Sequence, residues 1–143
     1  MAIKAIFAAV AEAKQNIENL SLEQLLEEMR KDDDLLIVDI RELQERVDLG
    51  TIPGSKHVPR GMLEFWADPS SPYARDYFRD NRRTVLFCAG GGRSVLAAVA
   101  LGQMGFTNVA QLEPGFRGWQ ESGEPVEDVR STSRWVRRQD SKP

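Results

Sequence analysis

The sequence predicts a single α/β domain built on a parallel sheet, and three observations carry that prediction. Short apolar runs without polar alternation occur at 35–38, 84–87 and 108–112, as expected of strands covered on both faces. Helix-periodic stretches lie between them, which is the pattern of strand–helix–strand units. At 143 residues and 41% hydrophobic composition, the chain holds apolar material for one core and little room for a second domain.

Each element has its own signal. Ile3, Phe7, Val10, Ile17 and Leu20 recur at spacings of three, four and seven with Glu12, Lys14 and Gln15 between them, predicting an N-terminal amphipathic helix over residues 1–20. Its stripe is expected to cover the protein's own core or a dimer face. It does not read as a secretory signal, because the apolar stretch is short and Glu12 and Lys14 interrupt it. Ser21 with Gln24 three positions later forms a capping box opening a second helix through Arg30, with Leu22, Leu25, Leu26 and Met29 inward. A charged turn at 31–34 leads to the first strand, which ends at Asp39. Residues 41–48 form a short helix stopped by Gly50.

Gly50, Pro53, Gly54, Pro59 and Gly61 then mark turns, 68–72 is a surface loop, and 73–78 make one or two helical turns. The second strand stops at Cys88. The helix over 93–104 is expected to turn Val95, Leu96, Val99 and Met104 inward and to end at Gly105. A third strand at 108–112 precedes a last short helix at 116–121. Residues 128–143, with Arg130, Arg134, Arg137, Arg138 and Lys142 around Trp135, read as a basic flexible tail.

Charge and composition exclude several function classes. With 19 Lys plus Arg against 22 Asp plus Glu, the net charge is −3, so nothing draws the chain as a whole to nucleic acid or an anionic membrane. No apolar run has the length of a membrane span. The lone Cys88 excludes an intramolecular disulfide and suits a reducing compartment, so the cytoplasm is the expected location. With His57 as the only histidine, no ordinary zinc site can be built, and neither a metal nor a cofactor is expected.

The chemistry concentrates in Cys88-Ala89-Gly90-Gly91-Gly92-Arg93-Ser94. Cys88 stands where a buried strand stops, at the carboxyl edge where parallel sheets place reactive groups. The glycines permit positive φ and let successive amides turn inward as an anion nest. The helix start adds unpaired amides and partial positive charge. Arg93 adds a cation and Ser94 a hydroxyl able to cap the helix. Such surroundings lower a thiol pKa and favour the nucleophilic thiolate.

This loop resembles the C-x-x-G-x-R-S active-site loop of the rhodanese-like (sulfurtransferase) family. Val38-Asp39-Ile40-Arg41-Glu42 resembles the family's V-D-V-R-E strand end, and Gly50-Thr51-Ile52-Pro53-Gly54-Ser55 its G-H-I-P-G-A turn. Leu112-Glu113-Pro114-Gly115-Phe116 with Trp119 resembles its L-x-G-G-x-x-x-W segment. The resemblance implies one domain over 21–127, with a five-stranded, mostly parallel sheet, helices on both faces and the N-terminal helix as an addition. It implies that Cys88 takes sulfane sulfur from a small anionic donor such as thiosulfate or a low-molecular-weight persulfide. The resulting persulfide then passes sulfur to cyanide or to a thiol, free or on a protein. The amides of Ala89, Gly90, Gly91, Gly92 and Ser94 would cradle that sulfur. Arg93 would hold the donor or fix the loop through an acidic partner, while Asp39 and Arg41 would brace the site. No nucleic-acid or membrane partner is implied, and the chain is expected to be a monomer or homodimer.

Two positions depart from the family pattern: Thr51 stands for the usual His and Pro114 for the usual Gly, both expected to affect shape more than chemistry. The aromatic stretch at 62–81 either walls the pocket or packs beneath a loop. A phosphatase or arsenate reductase resembling C-x5-R is disfavoured, because Cys88 to Arg93 is C-x4-R, a smaller nest suited to one sulfur. The main alternative is a non-catalytic module of the same fold that binds partners or senses sulfur.

Overall fold

The computed structural model describes residues 2–132. A five-stranded sheet is ordered β1 (Glu18–Leu20), β5 (Val109–Leu112), β4 (Thr84–Phe87), β2 (Leu36–Asp39), β3 (Lys56–His57), and every pairing within it is parallel. The three apolar runs of the sequence are its central strands. Side chains of successive strand residues alternate between faces. Leu36, Val38, Leu86 and Cys88 accordingly face α4 (Leu63–Ala67) and α5 (Arg93–Met104), with Leu63, Ala97, Ala98 and Leu101 in the same cluster. Ile37, Val85, Phe87 and Ala110 face the other side, packed with Leu25 of α2 (Leu22–Lys31) and with Phe116 and Trp119 of α6 (Gly115–Glu121). Both faces are covered, which is why the strands read as continuous apolar runs.

The capping box at Ser21 forms in both directions, Gln24 N donating to Ser21 Oγ and Ser21 N to Gln24 Oε1. The helix after β2 is α3 (Leu43–Leu49), and a last turn of helix, α7 (Val129–Thr132), packs against it with Val129 buried. The basic positions Arg134, Arg137, Arg138 and Lys142, with Trp135, lie outside the described residues.

The N-terminal segment departs from the sequence prediction. The helix α1 covers only Ile6–Lys14, and residues 18–20 are the edge strand β1. Asn19 reaches back to donate to the carbonyls of Lys14 and Ile17, closing the helix end while β1 pairs with β5. Sheet pairing thus overrides the helical periodicity. Ile17 and Leu20 turn inward, whereas Ile3, Ile6 and Phe7 remain 98%, 56% and 81% exposed, so this end of the stripe does not cover the chain's own core.

Two further expectations change. Residues 73–78 are turns, and the helix of that region is α4, just before them. In α5 the core positions are Val95, Ala97, Ala98 and Leu101, while Met104 is 40% exposed. The small Ala pair lets α5 lie close on the sheet. Its flank is covered by α1, an element whose position the α5 periodicity could not foretell.

Candidate active site

Cys88 follows the last residue of β4, and α5 begins at Arg93, so the intervening loop hangs between a strand end and a helix start. Gly91 N donates to Cys88 Sγ at 3.1 Å, and Ser94 Oγ lies 3.4 Å from the sulfur. Burial pushes the Cys88 thiol up; the Ser94 hydroxyl and the amides of Ser94, Gly91 and Gly90 outweigh it and hold the thiol below its ordinary range. The arrangement therefore stabilises negative charge on sulfur.

Of the three glycines, Gly91 carries the conformational demand. Its φ is +99°, and a Cβ there would stand 2.7 Å from the Glu113 carbonyl oxygen. Gly90 and Gly92 have open space and no positive φ, so the run is less strained than the sequence suggested. The loop rests on the start of α6. Phe116 N donates to Cys88 O and Arg117 N to Ala89 O, which takes up the loop carbonyls and leaves amides for the sulfur. Gly115 permits that approach, since a Cβ on it would lie 2.4 Å from the Ala89 oxygen. Pro114, in place of the family's usual Gly, adopts φ −76° ahead of α6, a value natural to proline.

Ser94 does not cap α5. Its hydroxyl donates to Gln111 Oε1 at 2.8 Å, and Gln111 Nε2 donates to Asn19 Oδ1 at 2.8 Å. A polar chain, buried at Ser94 and Gln111 and partly exposed at Asn19, thus runs from Cys88 across β5 to β1. Sequence reading missed Gln111, a polar residue inside an otherwise apolar strand, which was the available signal.

Arg93 is held by both carboxylate oxygens of Glu45 at 2.8 Å, tying α5 to α3. The Arg93 guanidinium keeps Glu45 ionised, with its pKa lowered to about 2, and Glu45 raises that of Arg93 in return. Asp39 is buried and accepts from Arg41 Nε and Nη2, Arg46 Nε and Thr51 Oγ1 at 2.8–3.0 Å. Burial raises the Asp39 pKa, but Arg41 and Thr51 together bring it below the ordinary carboxylate value. Arg41 also donates to Gly50 O and lies over the Phe116 ring at 4.3 Å. Thr51 is therefore a fully buried donor to Asp39, more than the matter of shape the sequence implied. Neither Asp39 nor Arg41 lines the cavity at Cys88.

That cavity has a volume of about 500 Å³ and is bounded by Cys88, Gly90, Gly92, Arg93, Leu96 and Arg117, with one side closed by α1. The aromatic stretch at 62–81 does not reach it. Trp66, Tyr77 and Phe78 pack on the core near Phe106, with the Tyr77 and Phe78 centroids 5.1 Å apart. His57 Nε2 bonds the Arg41 carbonyl at 2.7 Å, a structural position. Among the described residues, no cluster of His, Cys, Asp or Glu is placed to hold a metal ion, and no helix is long and apolar enough to cross a membrane.

The rhodanese-like domain model matches residues 21–122. The chain belongs to the rhodanese-like domain family. It is 31% identical over 109 residues to YrkF of Bacillus subtilis, provisionally named a sulfur carrier protein, covering 76% of this chain and 54% of that one. The chain thus spans about half the length of that relative. A solved Rhodopseudomonas palustris protein of unknown function, described as a candidate tyrosine phosphatase, superposes with TM-score 0.83 at 42% identity, over 89% of this chain and 97% of that one. The homodimeric polysulfide-sulfur transferase of Wolinella succinogenes superposes with TM-score 0.67 at 27% identity, over 83% of this chain and 84% of that one.

Proposed function

We propose that this rhodanese-like chain is a sulfurtransferase with Cys88 as its nucleophile. The observation that carries the reading is a buried sulfur that accepts from Gly91 N and lies 3.4 Å from the Ser94 hydroxyl, in a nest closed by a helix start. The Cys88 thiolate attacks the sulfane sulfur of thiosulfate, a Cys–S–S bond forms, and the bond to the sulfonate sulfur breaks with its electron pair leaving as sulfite. The loop amides then hold the persulfide anion until a thiol or cyanide removes the outer sulfur and regenerates the thiolate. Arg93, fixed by Glu45, supplies positive charge at the cavity edge. Asp39 and Arg41 hold the strand end that carries α3 and therefore Glu45. The reaction needs no cofactor, and we place it in the cytoplasm, where a free thiol stays reduced.

The description of the Rhodopseudomonas palustris neighbour favours a second reading, phosphate ester hydrolysis. Two features weigh against it: the loop is C-x4-R, and Arg93 is committed to Glu45. One experiment separates the readings. Intact mass after incubation with thiosulfate is expected to rise by one sulfur in the wild type and not in Cys88→Ser, while aryl phosphates are left unhydrolysed. No sulfur gain with thiosulfate or with glutathione persulfide would leave a non-catalytic module, and hydrolysis lost in Cys88→Ser would establish the phosphatase.

A further inference from the structure

The N-terminal helix lies outside the residues the family model matches, yet it closes one side of the Cys88 cavity. Ile6, Phe7 and Val10 line it together with Gly90, Gly92 and Arg117. Ile6 and Phe7 are 56% and 81% exposed, an apolar edge with no covering partner among the described residues. Beneath it Leu96 of α5 continues the apolar wall to the loop. The cations at the cavity are not equivalent. Arg93 is engaged by both Glu45 oxygens, whereas Arg117 is exposed and its guanidinium has no hydrogen bond or ion pair within the described residues. The volume of about 500 Å³ falls among cavities that take organic ligands, far more space than an inorganic oxyanion fills.

An aliphatic and aromatic wall beside an uncommitted cation, with a sulfur nucleophile at the base, suits a donor with an apolar body and an anionic sulfur group. We infer that α1 is the specificity element of this site, and that Phe7, Ile6 and Val10 favour an organic thiosulfonate over inorganic thiosulfate. Arg117 attracts the negative end of either donor. The inference rests on the sulfurtransferase reading. In the step it describes, the Cys88 thiolate attacks the terminal sulfur of R–SO2–S⁻ and forms the Cys–S–S⁻ persulfide. The bond between the two donor sulfurs breaks, and its electron pair leaves on the sulfinate R–SO2⁻. The cysteine sulfur is oxidised and the donor's sulfonyl sulfur reduced, with charge conserved.

The test uses the full chain with cyanide as acceptor and thiocyanate as the readout, because kcat/KM for the donor then reports the first half-reaction. Phe7→Ala is expected to lower kcat/KM for benzenethiosulfonate about five- to tenfold, through KM, while thiosulfate changes by less than about twofold. Phe7→Leu keeps most of the apolar contact and should restore the aryl donor to within about threefold of wild type. Arg117→Ala should weaken both donors. An equal effect of Phe7→Ala on the two donors, or none on either, overturns the inference. Phe7 is largely solvent-facing, so an unchanged melting temperature is expected and excludes misfolding. If neither donor adds sulfur to wild-type Cys88 by intact mass but glutathione persulfide does, the inference is overturned and the sulfurtransferase reading stands; if all three fail, that reading itself fails and the inference falls with it. That outcome is visible before any variant is made.

Discussion

At the residue scale, the reactivity of Cys88 depends on where one proton sits. The Ser94 hydroxyl has a single hydrogen, which it donates to Gln111 Oε1. A neutral Cys88 thiol can then donate to Ser94 Oγ, but a thiolate gains that hydroxyl only when Ser94 turns away from Gln111. Because hydrogen bonds to the charged form outweigh burial, the thiol titrates below its ordinary range and alkylation should gain its thiolate rate at lower pH than that of a free thiol. Ser94→Ala removes the largest of the opposing contributions. Its alkylation midpoint, followed by iodoacetamide rate against pH, is expected to rise toward that of an ordinary thiol. An unmoved midpoint would assign the thiolate to the backbone amides alone. Cys88, Gly91 and the arginine were legible because they are contiguous and their chemistry is local. Gln111 was not, since it lies 17 positions from Ser94 and only the β4–β5 pairing brings it near.

At the scale of elements, the site is set by what holds the start of α5. Arg93 and Glu45 join α5 to α3, and Glu45 also accepts from Glu42 N at the start of its own helix. If Arg93 acts on the donor from a position Glu45 fixes, Arg93→Ala should lower kcat/KM for thiosulfate about tenfold with little change in stability. Glu45→Gln should lower it less, and the double variant should match Arg93→Ala, because the two residues work as one unit. Additive losses would separate them. The pair's pH behaviour follows from the depressed carboxylate. Glu45 falls from 4.5 to about 2 on folding, so its contribution to stability is complete above about pH 4.5 and is lost as pH falls from there toward 2. The sequence yielded α2, α5 and the three central strands because each carries its own periodicity, cap or apolar run. It did not yield α1 and β1 as separate elements. Their residues keep a helical spacing throughout, and the break before Asn19 is made by partners on β5 and by the carbonyls of Lys14 and Ile17.

At the scale of the whole molecule, one buried carboxylate gathers segments that are far apart in the chain. Asp39 at the end of β2 binds Arg41 beside it, Arg46 on α3 and Thr51 in the following turn. Thr51 in turn bridges to Glu127, which brings the C-terminal segment against the domain. The motif marked Asp39 and Arg41 as a pair at the strand end, whereas the contacts of Arg46 and Thr51 with Asp39 arise only in three dimensions. Arg41 is fully buried and Arg46 nearly so, and both depend on the Asp39 charge. Asp39→Asn keeps the volume but leaves two guanidinium groups without their counter-ion, a loss of about 3–5 kcal/mol, which is a large share of the roughly 5–15 kcal/mol typical of a domain. Its pH dependence distinguishes lost charge from lost packing. The folded pKa of Asp39 lies below its ordinary 3.8, so its stabilisation is present above that value and declines as pH falls through the folded one. Urea unfolding should therefore show a large gap between wild type and Asp39→Asn at pH 7 that narrows only as pH falls below about 3.8. A gap that stays constant would mean that the residue contributes shape rather than charge, and that the ends of β2 and α3 are held by packing alone.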